Sequence, residues 1–357
     1  MDVCQRKQKL KNLQGLRGVA ILAIVVSHCN FKQTFAWADF GPLGSLGVEI
    51  FILLSGFLSC YWHFEERQAS ITFWGSWERI KKKMGKYYPL HIITMLLAMP
   101  LAYDALTDGH AFAWVKLLLN AALLQSWCFR EEIAWSYNGV AWFLSLMGFF
   151  VIITPRMISW FQRQDVRSVR NMILGILVFE WIWAIVAMPF KHHTWLVYIF
   201  PFVRSADLFL GGGTYILYRW ILLHDAWVSR QSEKMVGIAL LVYIVTAWLA
   251  QGSQQEVYSV AAWTVPSILF LLGIMLMGNK VYGGVAFWNY PCMIWIGNIS
   301  FELFLIHQLT IRYFEKMAMV VWQVQLPVAG YAVAIMVSIF LSAMVHRYRV
   351  ERRTGGK

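Results

Sequence analysis

Gln14-Gly15-Leu16-Arg17-Gly18-Val19-Ala20-Ile21-Leu22-Ala23-Ile24-Val25-Val26-Ser27-His28 follows a basic opening that carries Arg6, Lys7, Lys9 and Lys11. Between Arg17 and Ser27 it holds nothing polar. A helix needs ~20 mostly apolar residues to cross the hydrocarbon core of a bilayer, and the run continued to residue 31 approaches that length. A signal peptide also opens with positive charge before an apolar run. Here no small-residue cleavage site follows and further apolar runs do, so the segment is expected to stay in place as a signal anchor.

Working outward, comparable runs occupy 14–31, 43–62, 87–104, 139–158, 172–189, 196–217, 235–251, 258–278, 293–311 and 327–345. They predict an all-α polytopic transmembrane bundle of about ten spans, with residues 1–357 forming one integral-membrane domain. No internal repeat, linker or appended soluble domain is expected. Composition agrees: 59% of residues are hydrophobic and 14% charged, against roughly 45–50% and 25% in soluble domains. Nineteen Trp and 15 Tyr suit the two membrane–water interfaces. Cys4, Cys29, Cys60, Cys128 and Cys292 are scattered without paired spacing, which gives neither a disulfide framework nor a metal site.

A net charge of +12 would suit a nucleic-acid partner if it were spread over one face. Instead, with both termini cytoplasmic, 22 of the 31 Lys and Arg fall in inner segments, six in outer segments and three within spans. That asymmetry is a topology signal and argues against nucleic acid. It also makes the extra apolar stretch 111–127 re-entrant or interfacial on the outer side, because an eleventh crossing would reverse every later loop.

Ionisable residues inside spans must be buried in protein or wet. Arg17 and His28 are eleven residues apart, about three turns and ~16 Å, so they share one helix face. On the residues alone, a snorkelling Arg17 and a satisfied interfacial His28 are the simpler reading. Glu49 stands within the second apolar run and needs a partner, for which an Arg or His of the first span is plausible. The ninth run supplies Ser300, Glu302 and His307. Arg204 and Asp207 in the sixth have the i, i+3 spacing of an ion pair within one helix. The inner loop holds Arg79, Lys81, Lys82, Lys83 and Lys86 before Tyr87-Tyr88-Pro89. It reads either as an anchor at anionic headgroups or as a site for an anionic ligand such as a nucleotide phosphate. Together these residues describe a polar pathway or an intramembrane active site without separating the two.

The Gln14–Ala20 stretch with its Arg-x10-His spacing resembles the opening motif of the acyltransferase 3 family of membrane-bound acyltransferases. Gly44 to Phe57 is similar to that family's second-span motif almost position by position. The Lys-rich loop ending in Tyr-Pro, Trp142-Phe143-Leu144-Ser145, Arg204 to Gly211 and Ile296 to His307 follow in the family's order, so the resemblance covers nearly the whole chain. Three departures stand out. The loop is Lys-rich where relatives are Arg-rich, which loses bidentate phosphate geometry and keeps charge. Met147 occupies a position where many members carry Glu. Gln14 and Gly15 precede Leu16 where a shorter motif has an acidic residue.

The resemblance implies transfer of an acyl group, expected to be acetyl, from cytoplasmic acyl-coenzyme A to a hydroxyl of a surface or exported carbohydrate, with no metal. A bacterial cytoplasmic membrane is the expected location. His28 would be a general base or a transient acyl carrier. Arg17 would hold a phosphate or orient the donor, Glu49 or Glu302 would fix the imidazole tautomer, and His307 would be a second candidate base. Arg79, Lys82, Lys83, Lys86, Ser300, Glu302 and Arg204 are the expected substrate-binding residues. The rival from another class is a transporter or flippase of a lipid-linked sugar, which inverted repeats with interrupted helices would favour. A catalytically dead scaffold is the third, and the intact Arg17 and His28 weigh against it. Acceptor identity and oligomeric state are not written in the sequence.

Overall fold

Backbone amides in lipid find no water, so segments that cross alone must bond within themselves as helices. In the computed structural model, which describes residues 10–31, 40–66, 73–102, 111–249, 255–278 and 287–354, every regular element is helical. In chain order these are α1 (Lys11–Ser27), α2 (Gly41–His63), α3 (Phe73–Met84), α4 (Tyr88–Ala98), α5 (Ala111–Ala121), α6 (Glu131–Ala134), α7 (Trp142–Phe161) and α8 (Val166–Ala187). They continue as α9 (Pro201–His224), α10 (Ala226–Arg230), α11 (Ser232–Leu249), α12 (Gln255–Met277), α13 (Pro291–Asn298), α14 (Ser300–Trp322) and α15 (Val328–Thr354).

Four stretches among the described residues are long and apolar enough to cross a membrane: Gly41–His63, Gly139–Phe161, Val166–Ala187 and Val328–Glu351. There are five when α13 and α14 count as one bent span. Leu174, Val178, Ile182 and Ile185 of α8 and Met336, Phe340 and Met344 of α15 are exposed, the surface expected where the solvent is lipid. At the centre, α2 packs against α1, α9 and α12, and α1 against α13. Two glycine contacts set these crossings. A Cβ on Gly18 would collide with the Met293 carbonyl, and one on Gly56 with the Leu208 carbonyl. Missing side chains let the backbones meet and add packing contacts, the main attraction between helices in lipid.

Two of the predicted spans are interrupted in the structure, while the segment 111–127 and the inner loop fall outside the spans as expected. The stretch 293–311 is broken, with α13 and α14 bent by 77°. Gly297 and Asn298 are weak helix formers, and Gly297 is where the Gln14 carbonyl of α1 crosses. The stretch 196–217 begins as a π turn over Trp195–Ile199 and restarts at Pro201. Phe200 is held extended, as a residue before proline prefers. Within 111–127, α5 has only 11 residues, too short to cross. The inner loop is not wholly irregular: α3 forms there, with a Glu78–Lys81 pair at 2.5 Å and three lysines in the last turn, where the helix dipole favours cations.

Candidate active site

His28 caps the C-terminal end of α1. Its Nδ1 lies 2.8 Å from the Ile24 carbonyl, and Ser27 Oγ donates to the same oxygen at 2.7 Å. A ring whose Nδ1–H is spent on a carbonyl keeps its basic lone pair on Nε2. His307, fully buried, donates from Nδ1 to the Leu303 carbonyl at 2.9 Å. Its Nε2 stands 3.4 Å from His28 Nδ1, with the two rings edge to face. His28 lines a cavity of about 440 Å³ together with Ser27, Ser45, Trp135, Trp142, Tyr198, Phe304 and Gln308, among others. Gln308 is oriented by the Val140 amide, which donates to its Oε1 at 3.2 Å. Among the described residues lining this cavity, His28 and Tyr198 are the ionisable ones.

Arg17 opens onto a second cavity, of about 350 Å³, lined also by Ser55, Ser59, His63, Lys83, Lys86, Tyr87 and Met147. Its Nε is buried without a partner. Lys83 is exposed overall and lies outside the apolar helices, and partial desolvation of its ammonium, with the neighbouring Lys86 charge, pushes it below the usual lysine value. Arg17 and His28 thus share a face of α1 and open onto different cavities.

The remaining expected residues divide. Glu49 is buried and receives Arg204 Nη2 at 2.7 Å, while Arg204 Nη1 meets Asp207 at 2.9 Å. Glu49 therefore does not hold the imidazole, and its partner comes from α9 rather than from the first span. Glu302 does not hold it either. It is fully buried and paired with Arg349 at 2.6 Å and His346 at 3.1 Å, both from α15. The group that fixes the His28 tautomer is the Ile24 carbonyl, available because α1 ends there and its last carbonyls lack helical partners. Arg204 lines a small void of about 10 Å³ beside Glu180 and Asp207 and neither of the two larger cavities. Ser300 is buried at the start of α14. Lys82 is exposed and Arg79 half-buried, and neither they nor Ser300 line either cavity.

Sequence reasoning passed over Trp135, Tyr198 and Gln308 as pocket residues. Only Gln308 carried a usable signal, since it follows His307 directly. It also passed over Glu131, which accepts from His192 Nδ1 at 2.5 Å and from the Trp195 amide at 3.2 Å. The ligand atoms of Glu131, Glu132 and His192 lie within 4.8 Å of one another. Ion pairing accounts for this grouping, because Glu132 is also engaged by Arg130 at 3.3 Å.

Comparison with known proteins gives a consistent set. A family model described as an acyltransferase domain matches residues 10–347. Acyltransferase MdmB of Streptomyces mycarofaciens is 27% identical over 340 residues, covering 87% of this chain and 81% of that protein. The peptidoglycan O-acetyltransferase OatA of Listeria monocytogenes is 21% identical over 321 residues, 84% of this chain and 49% of its own length. The O-acetyltransferase OatA of Staphylococcus aureus is 22% identical over 361 residues, with 95% and 56% covered. The chain therefore spans about half the length of the OatA relatives. No solved structure matches.

Proposed function

The chain belongs to this acyltransferase family, and from that premise we propose that it moves an acyl group, acetyl first, from cytoplasmic acyl-coenzyme A to a hydroxyl presented at the opposite face of the membrane. The observation that carries the proposal is the division of α1, with Arg17 in a cationic cavity and His28 in an aromatic one. The first suits a polyanionic donor. The second offers ring faces and a few hydroxyl and amide groups, as sugar binding requires. The O-acetyltransferases among the relatives favour a carbohydrate acceptor.

In this reading the acceptor hydroxyl gives its proton to His28 Nε2 as its oxygen bonds to the thioester carbonyl carbon. The tetrahedral centre collapses, the carbon–sulfur bond breaks, and the imidazolium returns the proton to the leaving thiolate. Ester and free thiol are the products, and the histidine is restored. An acyl-imidazole route passes through the same Nε2 and gives the same products. His307 Nε2, aimed at the far side of the His28 ring, supports that ring from behind. Ten crossings, cytoplasmic termini and a bacterial cytoplasmic membrane complete the proposal, with the inner cavity on the cytoplasmic side.

The bent α13–α14 pair is a feature shared with transporters. One assay separates the readings. Reconstituted protein is given radiolabelled acetyl-coenzyme A and a panel of surface glycans, with His28→Ala alongside. The proposal expects label on a glycan from wild type only. Glycan crossing the vesicle membrane unlabelled would overturn it in favour of transport.

A further inference from the structure

Tyr87, the residue before α4, lines the inner cavity. Its ring stacks on Phe301 with centroids 3.5 Å apart. The Lys86 ammonium stands 4.2 Å from the ring centroid and the Arg349 guanidinium 5.2 Å. Arg349 comes from the far end of the chain, near the close of α15. One side of its fork is spent on Glu302, through Nη2 at 2.6 Å. Nη1 is buried with no partner. Arg17, which shares the cavity with Tyr87, has a buried Nε in the same state.

Lys86 and Arg349 thus meet the ring of a tyrosine that lines the inner cavity beside Arg17 and Lys83, and the carboxylate paired with Arg349 is already shared with His346. A buried donor without an acceptor bears its whole desolvation cost. An arginine fork with one free edge is shaped to meet a phosphate.

We propose that Arg349 is a donor-binding residue: its free edge and Arg17 hold a phosphate group of the donor against Tyr87, and the C-terminal helix thereby closes the donor site. Glu302 is then a positioning residue that aims the guanidinium. This rests on the acyl-coenzyme A reading above. It places part of the site in a tail whose basic residues read in sequence only as an orientation signal.

The test is equilibrium binding of coenzyme A, 3′-dephospho-coenzyme A and phosphate-free pantetheine to the full chain in neutral phosphatidylcholine vesicles. Arg349→Gln is expected to weaken coenzyme A about tenfold, the scale of a charge-assisted contact, and to leave pantetheine unchanged. Arg349→Lys should recover part of the loss, and Glu302→Gln should fall between. A fold defect would weaken all three ligands alike. Equal coenzyme A affinity in wild type and Arg349→Gln overturns the assignment. An effect of Arg349→Gln seen only in vesicles containing phosphatidylglycerol also overturns it and gives the phosphate to a lipid headgroup. If Arg349→Gln does not insert, Arg349→Lys decides by the same comparison. Wild type that binds no coenzyme A overturns the donor reading itself, a different outcome from wild type that binds and variants that match it.

Discussion

The outer and inner cavities are cut from the same three helices, α1, α2 and α7, yet their walls have opposite chemistry. On α1, Ile24 and His28 line the outer cavity and Arg17 the inner; on α2 the pair is Val48 and Ser55; on α7 it is Trp142 and Met147. In chain order Phe51 falls between Val48 and Ser55 on α2 and Phe143 between Trp142 and Met147 on α7, ring against ring at 6.5 Å, with Phe304 of the outer lining on Phe143 at 5.3 Å. A few helical turns therefore carry the chain from a cationic wall, past these rings, to a wall whose described residues are nearly free of charge. On the proposed function, the difference amounts to a division of labour: binding strength for the donor on one side, proton transfer on the other.

The sharpest way to break that division is to remove one end of it. His28→Ala is expected to lower transfer by about 10²–10⁴, the usual worth of a general base, while coenzyme A binding stays within about twofold of wild type. Arg17→Ala should do the reverse, weakening coenzyme A with a much smaller effect on turnover at saturating donor. Loss of donor binding in His28→Ala would mean the two cavities act as one site.

A second test falls behind the outer cavity. Arg204→Met leaves Glu49 and Asp207 buried and uncompensated, and removing one member of such a buried pair costs about 3–5 kcal/mol. Thermal unfolding in detergent should show it, with donor binding and transfer lost together. Selective loss of transfer would instead place Arg204 in the chemistry, through Tyr198, whose ring lies 5.9 Å from its guanidinium.

The ring contacts of Phe143 predict a smaller effect. Phe143→Ala should let water reach the thioester, raising acceptor-independent hydrolysis of acetyl-coenzyme A several-fold relative to transfer, since exclusion of water suppresses such side reactions. An unchanged ratio would show that Phe143 separates nothing.

These particular residues show why the sequence was only partly readable. Helix and lipid-facing surface follow from apolar runs, which are local, and the shared face of Arg17 and His28 follows from helical periodicity. That the two residues open onto different cavities depends on what α7 and α14 bring between them. Glu49 needed a partner by burial alone, but whether the partner stood on α1 or α9 was a matter of packing. The break at Gly297–Asn298 was present as two weak helix formers inside an apolar run, and the run was the louder signal. Trp135 and Tyr198 had no signal, since aromatic residues in a membrane protein are usually explained by the interfaces.

The smallest expected effect concerns the rim of the outer cavity. Burial works to raise the Glu131 carboxyl, but its own amide, the His192 ring and the Trp195 amide outweigh it and hold it below the usual carboxylate value. A depressed carboxylate contributes stability that is fully present above its unfolded pKa and is lost as pH falls through the folded one. With an ordinary glutamate near ~4.3, the window opens below about pH 4.3. Glu131 ties α6 to Trp195, and Trp135, just past the end of α6, lines the outer cavity. Acid should therefore loosen the outer rim more than the inner cavity, where none of the described lining residues is a carboxylate. Hydrogen exchange compared between wild type and Glu131→Gln at matched pH measures this directly. The amide protection that distinguishes them around residues 131–135 should be present near neutrality and vanish in acid, with no matching change around Lys83 to Tyr87. If both regions lose protection together, the rim is not an independent unit and the contrast between the cavities is one of lining rather than of stability.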